Sequence, residues 1–319
     1  MTMRVEDVMT RDLFVCGMRA DLGTAARVMW EHDCGCVPII NPDQMVLGIV
    51  TDRDVAMAAY LNGKRLADIA VTDVMRRCVH ACEEGVSLEL AHKIMRNASI
   101  KRLPVVDKRG RLIGLVALPE LLAAAHAEER LISEVIDTLE QTSRHHDLTV
   151  TEEGKMKHVA DIMSRQVASC NMKDSMNRAA QLMWEQDCGC IPIVDDERRV
   201  VGIITDRDIC MAAYTQGKAL AELPVSLACS RDVQTCRTID SLANAEELMT
   251  NAQVRRLPVV DPNGLLVGLV SMSDLAHHKM STPDKLAHRA LATVLEAVSR
   301  SRRALDASHN KPGVHITHP

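Results

Sequence analysis

The chain alternates short apolar runs with longer stretches of helical periodicity, in a fixed order. Residues 13–16 form an apolar run that predicts a strand. Residues 22–33 carry Ala25, Val28 and Met29 at helical spacing and predict an amphipathic helix, with Gly35 expected as its C-terminal cap. Apolar runs at 37–40 and 46–50 predict two more strands across the polar turn Asn41-Pro42-Asp43-Gln44. A helix is predicted from Asp52 to about Leu61. Thr51 and Asp54 have the form of its N-terminal capping box, with Asp replacing the usual Glu.

This β-α-β-β-α order recurs. Trp30-Glu31-His32-Asp33-Cys34-Gly35-Cys36-Val37-Pro38-Ile39 returns as Trp184-Glu185-Gln186-Asp187-Cys188-Gly189-Cys190-Ile191-Pro192-Ile193, an offset of 154 from position 30 to position 184. The same offset carries Met9 to Met163, Thr51 to Thr205, Arg102 to Arg256 and Gly114 to Gly268. A second offset, of 66 from position 9 to position 75, carries Met9, Pro38, Gly48 and Asp54 onto Met75, Pro104, Gly114 and Glu120. An α/β protein of four such units in two halves is therefore expected. The first half spans 1–125, with units at about 5–62 and 71–125, and the second spans 159–280, with units at about 159–216 and 225–280. Residues 126–158 are expected to be a helical linker, with Leu131, Ile132, Val135, Ile136 and Leu139 on one face. A C-terminal helix is expected over 281–307, entered through Pro283 and carrying Leu291, Val294, Leu295 and Val298 on one face. Residues 308–319 show neither periodicity nor apolar mass and are expected to be disordered.

Composition narrows the function. Aromatic residues make up only 2% of the chain against 47% hydrophobic, so aliphatic side chains must fill the cores and base-stacking platforms are lacking. A formal charge of −5 gives no basic footprint, so no nucleic-acid partner is expected. No apolar run approaches the roughly 20 residues of a spanning helix, and the N-terminus lacks signal-peptide character. No membrane association is expected, and the protein is expected to be soluble and cytoplasmic. The 11 cysteines sit largely in apolar runs and read as reduced, buried thiols.

The candidate chemistry gathers where an apolar strand feeds a helix start. Free backbone N–H groups at the positive end of a helix dipole can seat a phosphate. Taken singly, Thr51 with Asp54 reads first as a capping box. The hydroxyl–carboxylate pair returns as Thr205 with Asp208 and as Ser271 with Asp274. It fails at the second unit, which has Ala117 and Glu120. Cys34-Gly35-Cys36 and Cys188-Gly189-Cys190 would form a four-thiolate zinc site if a pseudo-twofold axis joined them, but their spacing is one residue instead of two to four. Buried small hydrophobes are the plainer reading, and no metal is expected. No nucleophile–base–orienter set and no glycine-rich phosphate loop is present, so the chain does not read as an enzyme.

Together, the unit order, the apolar-Pro strands (Val37-Pro38, Leu103-Pro104, Ile191-Pro192, Leu257-Pro258) and the Gly-apolar-apolar-Thr/Ser-x-x-Asp junctions resemble cystathionine-β-synthase (CBS) domains. The resemblance implies two Bateman modules, each a pair of units with clefts for AMP, ADP, ATP or S-adenosylmethionine. Such a module regulates a partner protein, unidentified here. It implies a phosphate contact for the hydroxyls of Thr51, Thr205 and Ser271, and a ribose contact for Asp54, Asp208 and Asp274. Arg102 and Arg256 match basic phosphate-contact positions. Units one and three carry Cys36 and Cys190 there, so Arg53 and Arg207 are expected to supply the charge instead. The cleft at Ala117 and Glu120 is expected to be impaired. The two modules would pack as an intrachain pseudo-dimer, or each would pair with a second chain in a homo-oligomer. Two other readings remain: a thiol- or zinc-responsive switch at the Cys-Gly-Cys corners, and a ligand-free oligomerisation scaffold.

Overall fold

The structure, a computed structural model, describes residues 3–77, 80–125, 158–280 and 314–317. Unit one comprises β1 (Leu13–Gly17), α1 (Leu22–Glu31), β2 (Cys36–Ile40), β3 (Val46–Thr51) and α2 (Asp52–Asn62). Unit two repeats it as β4 (Cys82–Glu83), α3 (Leu88–Asn97), β5 (Arg102–Val106), β6 (Leu112–Ala117) and α4 (Leu118–Ala125). Unit three is β7 (Cys170–Asn171), α5 (Met176–Glu185), β8 (Cys190–Val194), β9 (Val200–Thr205) and α6 (Asp206–Gln216). Unit four is β10 (Cys236–Arg237), α7 (Leu242–Ala252), β11 (Arg256–Val260), β12 (Leu266–Ser271) and α8 (Met272–Met280). The helices expected over 126–158 and 281–307 lie outside the described residues, His158 apart. Among the described residues, no helix is long and apolar enough to cross a membrane.

In every unit the first strand pairs parallel with the second, and the second pairs antiparallel with the third. The register repeats too: Cys36 faces Thr51, Arg102 faces Ala117, Cys190 faces Thr205 and Arg256 faces Ser271. A third strand left open would strand its outer backbone groups, and each is met instead by the segment leading into the sister unit. Ile49 bridges Arg76, Leu115 bridges Thr10, Ile203 bridges Ser230 and Leu269 bridges Ser164. The close approach explains the junction glycines. A Cβ on Gly48 would lie 2.7 Å from Met75 Sδ and 2.9 Å from its Cβ, and one on Gly268 would lie 2.6 Å from Met163 Sδ.

The two halves pack against each other within the chain. In α2, Val55 through Ala59 are all buried. Five consecutive residues span more than one turn, so this helix is covered by more than its own sheet. The additional cover is α6, with α1 lying on α6 and α5 on α2. One continuous apolar core, including Met29, Ile39, Met176 and Ile193, runs through units one and three. Another, including Met95, Leu103, Met249 and Leu257, runs through units two and four.

Two local expectations are corrected. Gly35 is not the cap of α1, whose C-terminal cap is His32. Asp33 takes the left-handed turn at φ 46°, as Asp187 does at φ 45°, a conformation Asp tolerates better than most residues. The expected disorder over 308–319 does not extend to β13 (Val314–Thr317), which pairs parallel with β1 from Leu13↔Val314 to Cys16↔Thr317. His315 Nε2 lies 2.7 Å from Asp12 Oδ1, and its ring stacks on Phe14 at 5.1 Å. Four alternating residues are too few to announce a strand whose partner lies 301 positions away, from 13 to 314.

Replacing Gly48 by Ala forces its Cβ into Met75, and overpacking of this kind costs about 1–3 kcal/mol. Urea unfolding of Gly48→Ala, Met75→Ala and the double variant checks this. The double is expected to lose less stability than the two singles added together, whereas strict additivity would show that the contact does not matter.

Candidate functional site

Each third strand runs without a break into a helix start. Thr51 caps α2: its hydroxyl accepts from the Asp54 N–H at 3.2 Å, and Asp54 Oδ2 accepts from the Thr51 N–H at 2.9 Å and the hydroxyl at 2.6 Å. Thr205 and Asp208 repeat these bonds at 3.2, 2.8 and 2.7 Å. Ser271 and Asp274 do so at 3.3, 2.7 and 2.7 Å. At the second unit only the Ala117 N–H reaches Glu120 Oε2, at 3.1 Å, because there is no hydroxyl to complete the box. Three junctions thus present a hydroxyl and a carboxylate side by side at the positive end of a helix, and one does not.

The sister unit completes the first junction. Arg76, held by its backbone pairing with Ile49, donates from Nε and Nη2 to Asp54 Oδ1 at 3.3 Å each. Its bond to Asp54 depends on the crossing between units, and a separation of 22 residues carries no local signal.

Arg53 and Arg207, expected to supply charge to the clefts of units one and three, are engaged here by the opposite half. Arg53 reaches into the other half, donating to the Cys188 carbonyl at 2.7 Å and to Asp187 Oδ1 at 2.9 Å. Arg207 answers with the Cys34 carbonyl at 3.1 Å and Asp33 Oδ1 at 2.6 Å. Arg102 instead approaches the corner of unit one: a Cβ on Gly35 would lie 2.8 Å from its Nη2 and 3.2 Å from Asp52 Oδ2. A Cβ on Gly189 would likewise lie 3.5 Å from Arg256 Nη2 and 3.1 Å from Asp206 Oδ2. Gly35 and Gly189 therefore leave room for a guanidinium and a carboxylate.

Beside Arg102 and Arg256 stand Lys101 and Arg255, which keep contact with solvent although protein surrounds them. Burial, together with Arg256, Arg255 and Arg102, pushes the Lys101 ammonium down to about 8. Carboxylates stand among these cations, Asp52 and Glu120 acting on Arg102 and Asp206 and Asp274 on Arg256.

Among the described residues, the Cys-Gly-Cys corners included, no group of three or more His, Cys, Asp or Glu side chains gathers as it would around an ion. Arg53 and Arg207, not the thiols, bridge the corners. Burial pushes the Cys34 and Cys190 thiols up to about 11, and it raises Cys36 and Cys188 as well, which keeps them protonated and unreactive.

The CBS-domain family matches the chain over residues 5–60, 71–127, 159–214 and 225–281. The CBS domain-containing protein YhcV of Bacillus subtilis (strain 168) is 39% identical over 126 residues, 40% of this chain and 88% of YhcV. Protein MJ1225 of Methanocaldococcus jannaschii is 26% identical over 205 residues, 64% of this chain and 68% of MJ1225. The MJ1225 crystal structure superposes with a TM-score of 0.60 at 18% identity, covering 87% of this chain and 100% of that one, so the two share a fold. The chain belongs to the CBS-domain family, with four CBS domains forming two tandem Bateman modules.

One group gives the site a pH signature. Burial, then the neighbouring Asp52 carboxylate, push the Asp206 carboxyl from an ordinary 3.8 up to about 6. A native value above the unfolded one means that the bound proton favours the fold at low pH, and that this contribution is lost as pH rises through about 6. Urea midpoints measured from about pH 4 to pH 7 are expected to fall for the wild type relative to Asp206→Asn. Parallel curves would contradict the assignment.

Proposed function

We propose that the chain is a non-catalytic regulatory sensor of adenine nucleotides. On this reading it binds AMP, ADP, ATP or S-adenosylmethionine between paired CBS units and passes the occupancy to a partner protein. The observation that carries the reading is the triplicated junction, a hydroxyl and a carboxylate at a helix start opposite the lead-in of the sister unit. The N-terminus of α2, α6 or α8 and the hydroxyl suit a phosphate, whereas a carboxylate accepts from both hydroxyls of a ribose and repels a 2′-phosphate. Lys101, Arg102, Arg255 and Arg256 supply the positive field towards which the phosphates point.

The hydroxyl and carboxylate now satisfy each other, so a nucleotide must take over bonds that already exist. Asp54 Oδ2 is engaged by Thr51, and its Oδ1 by the largely exposed Arg76. A ribose competes most easily for the second oxygen, because a surface ion pair contributes little stability. At unit two the missing hydroxyl leaves a poorer seat. Packing of the halves within one chain gives ligand occupancy a route to the partner, since units one and three share one core and units two and four the other.

Calorimetry with AMP, ADP, ATP and S-adenosylmethionine tests the proposal. Asp54→Ala with Asp208→Ala is expected to weaken the best ligand by about tenfold or more, because each loses a charge-assisted pair of hydrogen bonds. Thr205→Ala is expected to cost about 1 kcal/mol of stability as a lost cap and, in addition, to lower affinity. A stability loss with no nucleotide binding at all would leave only the ligand-free scaffold.

A further inference from the structure

Asp52 and Asp206, the first residues of α2 and α6, hold charges that the capping boxes do not use. Asp52 Oδ2 lies beside Arg102 over Gly35, and 3.7 Å from Arg207 Nη1 of the other half. Asp206 Oδ2 lies beside Arg256 over Gly189, and 3.7 Å from Arg53 Nη1. Each carboxylate therefore stands between an arginine proposed to face phosphate and an arginine that ties the halves together. The two carboxylates also repel each other across the seam between the halves.

We propose that Asp52 and Asp206 form a charge filter that sets how much negative charge a bound nucleotide may carry. The inference rests on the nucleotide reading above and assigns its specificity. Each carboxylate offsets part of the attraction that Arg102 or Arg256 exerts on a phosphate, and the offset grows with the ligand's charge. Neutral adenosine is indifferent to the pair, AMP is modestly disfavoured and ATP most.

The surroundings of the pair support this role. Asp206 faces Arg53, Arg256 and the backbone N–H of Arg207, with the Cys190 and Cys210 thiols nearby. Asp52 acts on Arg102, Arg255 and the Cys36 thiol. Arg53 and Arg207 stand 3.7 Å from Asp206 and Asp52, so each carboxylate is drawn towards the seam between the halves. Because the Asp206 carboxyl already titrates near 6, an approaching phosphate favours uptake of one proton from solvent by the pair, which relaxes the filter as pH falls.

Calorimetry on the full chain with adenosine, AMP and ATP tests the filter. Asp52→Asn with Asp206→Asn is expected to leave adenosine unchanged, to tighten AMP on the order of threefold and to tighten ATP on the order of tenfold. Asp206→Glu, which restores the charge, keeps the wild-type order. If the double variant does not fold, Asp206→Asn alone is expected to shift the ATP-to-AMP ratio in the same direction by a smaller factor. An unchanged ratio in a folded variant overturns the filter and leaves the nucleotide reading standing. Failure of the wild type to bind any of the three overturns the filter, and failure with ADP and S-adenosylmethionine as well overturns the nucleotide reading.

Discussion

A three-stranded sheet leaves the backbone groups of its last strand facing outward, and satisfying them is the constraint from which the rest of this chain follows. Ile49, Leu115, Ile203 and Leu269 sit on those last strands, and each pairs with the segment that leads into the sister unit. Neither unit of a half is complete without the other. The same crossing decides what each helix start sees, which is how Arg76 comes to bond Asp54. Closing the first sheet and bringing Arg76 to the start of α2 are one event. The junction glycines serve it, because a side chain at Gly48 or Gly268 would hold the sister segment away.

Between the halves, apolar burial and ion pairs divide the work. The shared cores supply the stability, at roughly 25 cal/mol for each Å² of apolar surface removed from water. Arg53 and Arg207 remain 29% and 33% exposed, so solvent screens their pairs with Asp187 and Asp33. Their contribution is geometric: each fixes a left-handed Asp turn of the opposite half and holds Asp52 or Asp206 close to the seam. That places charge where Arg102 and Arg256 can feel it.

Sequence alone was enough to resolve what repeats. The offsets of 154 and 66 located four units, the three hydroxyl–carboxylate junctions and the odd one at Ala117 and Glu120. The capping bonds follow directly from Thr51-x-x-Asp54 and its copies. What stayed hidden depended on partners remote in the chain. Gly35 looked like a helix cap because a glycine after a helix usually is one, and only the approach of Arg102 reveals its purpose. Arg53 looked like a phosphate ligand because it stands in the junction, yet its partners lie 134 and 135 residues away. Strand β13 was illegible for the same reason.

The central claim is that a hydroxyl and a carboxylate at the helix start make a nucleotide seat, and that the four junctions are therefore unequal. A crystal structure of the full chain grown with saturating AMP tests it most directly. The account predicts nucleotide beside Thr51 and Asp54, Thr205 and Asp208, and Ser271 and Asp274, with none at Ala117 and Glu120. Nucleotide seated at Ala117 and Glu120 while the other three stand empty would contradict it.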